Sequence, residues 1–398
     1  MSKEKLIEIA KINKEHAVNG TMELVDDIVR IPASNYYDQE RWQKEIDFIF
    51  KRLPLVLGVS NEIPNAGDYK AMEVVGVPVL ISRSKSGEIR AFLNSCRHRG
   101  AAILKPGKGN TSRFGCPYHG WTYSEDGSLI GISSSHEFGD IDKSCHSLIS
   151  LPVLEKAGLI WVTLNPESNL SIDSYLSGYD EMLSHFGFED WHVFDVRSLK
   201  GPNWKVAYDG YLDLYHLPVL HKDTFGDTYP NQANYYEWGP HQRVISPYRL
   251  PEQNDFANDG KDHSELPVEE WPMDLLMAGV WTIFPHVSIA SFTGGGRSVM
   301  LSQLLPGEKP EESVTTQYYL MENKPNKKQV KEANDQFKLL EYVVEEEDYA
   351  TGLRLQKGLK TGMIDNVMFG RNEGGGQTFH KWVDQLINTD DRNLPSLF

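Results

Sequence analysis

Cys96-Arg97-His98-Arg99-Gly100-Ala101 and Cys116-Pro117-Tyr118-His119-Gly120-Trp121 decide how this chain is read. Each segment offers one thiol and one imidazole, and residues 99–115 between them are enough for a hairpin that folds the two loops together. Structural zinc sites more often group cysteines in one loop and histidines in the other. The interleaved order instead suits a [2Fe–2S] centre in which two thiolates hold one iron and two neutral imidazoles the other, which raises the reduction potential. On spacing alone, a Cys2His2 zinc site in a colourless binding module stays open as the alternative.

Working outward, short β-type runs such as 74–81 and 158–164 flank these loops, separated by Gly, Pro, Asn and Asp turn signals. A small all-β domain requires that pattern. Residues 4–30 read as an amphipathic helix through Leu6, Ile9, Ile12, Met22, Leu24, Val25 and Ile28, and 37–52 as a second through Trp42, Ile46 and Ile49. Beyond Pro166 the texture is mixed, with helix near 172–186, a helical motif at 203–217, strands between 278 and 321, and helices from 326 to 358. The organisation predicted is N-terminal helices over 1–45 packing on a catalytic domain, a β domain over 46–165, and an α+β catalytic domain over 166–398.

The formal charge of −16 argues against nucleic acid, whose phosphates need a basic face. It is compatible with a basic electron donor. No run approaches the ~18 apolar residues of a membrane span. The start lacks the basic and apolar regions of a secretory signal, so the expected location is cytoplasmic. Three cysteines exclude a disulfide scaffold. Cys145 is expected to sit passively in packing, and His136 and His146 to be ordinary loop residues.

A second constellation follows at Asp209, Asp213, His216 and His221. Two histidines and a carboxylate make the facial triad of non-haem Fe(II) oxygenases, which leaves positions open for O₂. Asp213 and His216 would share a helix face. His221 would point about 140° away on a straight helix. Pro218 predicts that the helix ends or kinks near Leu217 and turns His221 back. The third ligand is sought in Glu345-Glu346-Glu347-Asp348. Against a stripe of Phe337, Leu340, Val344 and Leu355, Asp348 lies about 40° from Val344 and Glu347 about 60° to the other side. Phase narrowly favours Asp348 and leaves Glu347 and the more distant Asp365 as rivals.

Both constellations resemble a known family. The cluster segment, with Gly109-Asn110 between the loops and Thr122-Tyr123 after them, is similar to that of Rieske ring-hydroxylating oxygenase large subunits. Asp213-Leu214-Tyr215-His216 with His221 resembles the family's D-x₂-H-x₄-H iron motif, preceded by Trp204-Lys205 and Asp209. Glu347-Asp348, followed by Gln356, resembles its E–D pair, and 370–380 its C-terminal end. Gly210 departs from the asparagine common at that position.

The resemblance, over about residues 35–385, implies an all-β Rieske domain and a helix-grip (START-like) α+β catalytic domain with an antiparallel sheet. It implies a [2Fe–2S] cluster on Cys96, His98, Cys116 and His119, and a mononuclear Fe²⁺ on His216, His221 and Asp348. Asp213 would be a catalytic carboxylate, joining an iron-bound histidine to a cluster histidine of the neighbouring subunit of a homotrimer, with or without a β subunit. NAD(P)H electrons would arrive through a separate reductase, with or without a ferredoxin. This chain has no G-x-G-x-x-G fingerprint between strand and helix.

The activity implied is mono- or dioxygenation by O₂ of a small organic substrate, aromatic or alicyclic, as in aromatic hydrocarbon catabolism. The alternatives are a monooxygenase or demethylase acting on a quaternary amine or steroid-like substrate, and a Rieske electron carrier without oxygenase activity. About 100 residues would suffice for that carrier. Residues 281–290 are expected to line a mostly apolar pocket, with His286 contacting substrate or packing. His380 is read as structural and Gly374-Gly375-Gly376 as a turn.

Overall fold

The computed structural model describes residues 2–224, 231–247, 263 and 266–398. The β domain begins where β-branched runs meet tight turns. Strands Asp68–Val74 and Val77–Arg83 are joined by Val75-Gly76, both in the left-handed region at φ 44° and 79°. Ala157-Gly158 repeats this two-residue link between Val153–Lys156 and Leu159–Thr163. Such turns match the twist of the strands they join, although only the glycine adopts the conformation without strain. A five-stranded and two three-stranded antiparallel sheets result, one of the latter (113–115, 122–124 and 129–131) carrying the second Cys/His loop.

The larger domain is built on a seven-stranded antiparallel sheet. Its strands from Asn234–Trp238 to Ser313–Met321 meander in chain order, and His192–Gly201 closes the edge beside Ser313–Met321. One face packs against helix Trp204–Leu212, the long helical run 327–359 and helix Gly374–Ile387. The other face buries Trp281, Ile283, Val287, Ile289 and Leu301 against Leu6, Ile9 and Trp161. Trp204, Tyr208 and Phe379 share one apolar cluster with Leu55, Leu57, Val79 and Ile81 of the β domain, so the core runs across both domains.

Three expectations are corrected. The first helix spans only Ser2–Asn19 and stops at Gly20 (φ 63°). Val29–Pro32 then forms a strand paired with Asn366–Phe369. Leu24 and Ile28, counted in the helical stripe, are exposed. Gly374-Gly375-Gly376 opens a helix instead of turning. A Cβ at Gly375 would stand 2.4 Å from Tyr235 and one at Gly376 2.5 Å from Phe369, so aromatic rings lie directly on this backbone. Cys145 is exposed, its Sγ 3.4 Å from Asp142, and is not packed. Among the described residues no helix is long and apolar enough to cross a membrane.

Candidate functional site

The two Cys/His loops are built alike. In the first, Gly100 N donates to Cys96 O (2.8 Å) and Cys96 N to Ala101 O (2.9 Å). In the second, Gly120 N donates to Cys116 O (3.0 Å) and Cys116 N to Trp121 O (2.8 Å). Gly100 and Gly120 sit at φ 77° and 70°, where a side chain would be strained. The paired turns bury both thiols, unbonded to each other, and leave His98 and His119 half-buried, ring centroids 4.8 Å apart. His98 stacks on Trp121 at 5.0 Å and 8°. The Tyr123 hydroxyl accepts from Arg97 N (2.9 Å) and stands 3.3 Å from Cys96 Sγ. Burial and then the Cys96 contact raise its pKa. Two buried free thiols on loops whose two imidazoles lie side by side fit a cluster with mixed ligands. Arg99 Nη2 lies 2.7 Å from His119 Nε2, and desolvation, Arg99 and His98 together lower the His119 pKa.

The second constellation lies under the long helices. Asn203 caps helix Trp204–Leu212, accepting from Lys205 N (2.9 Å). Gln356 holds the same corner: its Oε1 accepts from Asn203 N (2.7 Å) and its Nε2 donates to Glu311 O (3.0 Å). Trp204 Nε1 donates to Glu45 (2.9 Å), and Lys205 forms a fully buried ion pair with the same carboxylate. Tyr36 donates to Asp209 (2.8 Å), whose other oxygen lies 3.0 Å from His380 Nε2. Trp204-Lys205 and Asp209 thus anchor this helix to the N-terminal segment and to helix Gly374–Ile387.

The helix ends at Leu212, earlier than Pro218 suggested, and Asp213 is extended (φ −115°, ψ 119°). Pro218 instead sits in the first turn of a short helix, Leu217–Leu220, with His216 and His221 at its two ends. Proline is well tolerated there because that N–H has no partner within the helix. The single turn brings the imidazoles together, centroids 5.1 Å apart. Their Nε2 atoms face one carboxylate oxygen, Asp348 Oδ1, at 3.6 and 3.2 Å. Among the described residues His216, His221 and Asp348 are the group of three whose ligand atoms lie within 4.8 Å of one another.

Each outer nitrogen has its own carboxylate, His216 Nδ1 at 3.1 Å from Asp213 and His221 Nδ1 at 2.7 Å from Glu347. Thr224 Oγ1 donates to Glu347 (3.1 Å). A carboxylate behind an imidazole fixes which nitrogen keeps the proton and leaves the other free for a metal. Burial lowers the His221 pKa, but Asp348 and Glu347 more than reverse that and leave it raised. Such a concentration of negative charge around two imidazoles fits a cation.

The acidic run owes its aim to a feature absent from the sequence pattern. Val343–Tyr349 is π-helical, continuous with α-helix on both sides. Its wider turn directs the neighbours Glu347 and Asp348 at the two nitrogens of one histidine, His221. The shift in phase also throws Leu355 out to solvent and buries Gly352, Gln356 and Leu359 in its place. Asp365 is exposed beside Ala33, outside the triad. His286 is buried, accepts from Val56 N (3.1 Å) and belongs to packing. Glu347, behind His221, is the member sequence reasoning missed as a supporting residue.

Two buried thiols with two imidazoles, and a separate His-His-Asp triad under an antiparallel sheet, define a protein with two metal-binding centres in one chain. Residues 54–148 match the Rieske [2Fe-2S] domain family, and 188–389 match the ring hydroxylating alpha subunit (catalytic domain) family. The chain belongs to that alpha-subunit family. It is 26% identical over 274 residues to the anthranilate 1,2-dioxygenase large subunit of Acinetobacter baylyi, covering 66% of this chain and 58% of that one. It is also 26% identical over 275 residues to the carnitine monooxygenase oxygenase subunit of Escherichia coli, covering 66% and 72%. For three of the curated relatives the aligned share is 58, 43 and 45%, so the chain spans about half the length of the curated relatives it matches. A crystal structure of a quaternary ammonium Rieske monooxygenase superposes with a TM-score of 0.71 at 22% identity, over 91% of this chain and 96% of that one. That likeness speaks for the fold.

Proposed function

We propose that this chain is the terminal oxygenase of a multicomponent system, oxidising a small organic molecule with O₂ and with electrons that start on NAD(P)H and arrive through separate carriers. The observation that carries this reading is the convergence of His216 Nε2, His221 Nε2 and Asp348 Oδ1 in a chain that also has the Cys/His loops. In it Cys96, Cys116, His98 and His119 hold the cluster, and His216, His221 and Asp348 hold the iron. When bound, the cluster supplies one-electron transfer and the iron supplies O₂ activation.

The chain's own residues prepare that chemistry. Asp213 and Glu347 keep protons on the two Nδ1 atoms, so both Nε2 lone pairs face inward. In this reading Asp213, whose side chain is 25% exposed, joins His216 to a cluster histidine of the neighbouring subunit of a trimer. Iron and acid-labile sulfide analysis with a visible spectrum tests the cluster, and a colourless, sulfide-free holoprotein refutes it. His216→Ala should keep the spectrum and lose turnover with a surrogate reductase. Retained turnover refutes the iron assignment.

A further inference from the structure

Helix Trp204–Leu212 stops short of His216, and the bond that ends it comes from the sheet. In a continuing α-helix the Leu212 carbonyl would accept from His216 N, one turn further on. Here Tyr235 Oη donates to Leu212 O (2.9 Å). Tyr235 stands on the edge strand Asn234–Trp238, opposite Val244. The other acceptor within reach of its hydroxyl, Asn372 O, is more distant at 3.4 Å. Gly210, in the last turn of the helix, loosens that turn because glycine has the most backbone freedom to lose. A Cβ at Gly210 would meet nothing within 4 Å, so no packing compensates at that position. The end of the helix is held from outside.

The C-terminal helix is shaped to seat this tyrosine. A Cβ at Gly375 would stand 2.4 Å from the Tyr235 ring and one at Gly374 3.5 Å from it, so the ring rests on bare backbone at the start of helix Gly374–Ile387. Gln242 Nε2, on the adjoining strand, donates to Gly375 O (3.1 Å) and ties the same turn to the sheet. The hydroxyl emerges beside two carboxylates: burial first, then Asp213 and Glu373, raise its pKa. The peptide group whose oxygen it holds is the one that joins Leu212 to Asp213. The Asp213 carboxylate in turn accepts from Tyr215 N and lies 3.1 Å from His216 Nδ1.

We propose that Tyr235, seated on Gly374-Gly375, is a positioning residue for the iron centre: by taking the Leu212 carbonyl it stops the helix at Asp213 and aims that carboxylate at His216. The inference rests on the reading of His216, His221 and Asp348 as the iron ligands. Without the tyrosine bond the Leu212 carbonyl is free to take His216 N, which winds the histidine on in the helix, where it and His221 diverge by about 140°. The glycines then have a purpose beyond opening a helix, since a side chain there would push the ring off the carbonyl.

The test is Fe²⁺ affinity, read by competition with a chromophoric chelator on cluster-replete protein, and it needs no substrate. Tyr235→Phe keeps the ring and removes only the donor. Losing a direct partner of a ligand histidine costs about 10–100-fold in metal affinity, so a group one step further out should cost about three- to tenfold. Gly375→Ala should cost at least as much. In an Asp213→Asn background the Tyr235→Phe loss should shrink below about twofold, because both changes act through one path. Tyr175→Phe, which removes a buried bond to Phe284 O, is the structural control and should leave Fe²⁺ affinity unchanged. Affinity within about twofold of wild type in Tyr235→Phe, an equal loss in Tyr175→Phe, or an undiminished loss in the Asp213→Asn background each overturns the inference while the iron reading stands. Unchanged Fe²⁺ affinity in His216→Ala overturns the iron reading and this inference with it.

Discussion

Glu347→Gln isolates the carboxylate behind His221. The side chain keeps its shape and loses its charge, so the 2.7 Å contact with His221 Nδ1 changes from a charge-assisted bond to a neutral one. Charge-assisted hydrogen bonds are worth ~1.5–3 kcal/mol against ~0.5–1.5 for neutral ones. The difference, about 1–2 kcal/mol, is roughly a five- to thirty-fold loss of Fe²⁺ affinity. Perturbing such a supporting partner typically costs about 10–100-fold. Glu347→Ala, which removes the carboxylate from His221 Nδ1 and one of the two acceptors of Thr224 Oγ1, should fall at the upper end. Competition with a chromophoric chelator gives the dissociation constant, and the cluster spectrum should be unaffected. Iron affinity within twofold of wild type in both variants refutes the claim that Glu347 sets the basicity of His221. A loss in the Gln variant as large as that of Asp348→Asn would mean instead that Glu347 is itself a ligand.

Other tests reach beyond the triad. Tyr123→Phe removes the hydroxyl beside Cys96 Sγ, and a bond ~1 kcal/mol stronger to the reduced cluster corresponds to roughly 40 mV, so a redox titration should show a lower potential. An unchanged or higher potential contradicts that role. Gln356→Leu leaves Asn203 N and Glu311 O without partners and should lower unfolding stability by about 2–4 kcal/mol in denaturant. A loss below about 0.5 kcal/mol would show that the corner is held by other contacts. Burial lowers the His286 pKa to about 3, so below its ordinary ~6.5 the unfolded chain binds a proton that the native one does not. Stability must therefore fall as pH drops from about 6.5 toward 3, by roughly 2–3 kcal/mol at pH 4.5. His286→Gln keeps an acceptor for Val56 N and should flatten the acid limb of Tm against pH, whereas parallel curves count against it.

The cluster loops were legible because two-residue chemistry is local. A thiol, an imidazole and a turn glycine within five positions leave few alternatives. The histidine pair was legible as a motif, but the reason it converges was not. Pro218 marked a break, and the break fell five residues earlier, at Asp213, because proline at the start of a one-turn helix initiates as readily as it terminates. Asp348 was reached by α-helical phase across a segment that is π-helical. The phase held from Phe337 to Val344 and failed at Leu355, beyond the wider turn. Nothing in residue-type periodicity signals that change, and with it went the role of Glu347. Which face of residues 281–290 looks toward the helices was not legible for another reason. A run of alternating residues shows that there are two faces, and only tertiary contacts tell which one looks toward the helices.

The core that passes from Leu55, Leu57, Val79 and Ile81 to Trp204, Tyr208 and Phe379 has a consequence for how the molecule comes apart. Two domains that share apolar side chains melt as one, so calorimetry should give a single cooperative endotherm for both. The tip around Cys96, Cys116, Trp121 and Tyr123 has a separate small cluster of its own. It can therefore open while the rest stays folded. On the function proposed above this tip is also where electrons would enter, and a preparation bleached of colour is expected to keep its far-UV circular dichroism and its main endotherm. Grafting in a foreign cluster domain would meet the opposite problem. The loops would transplant, but the seam beneath them belongs to both halves.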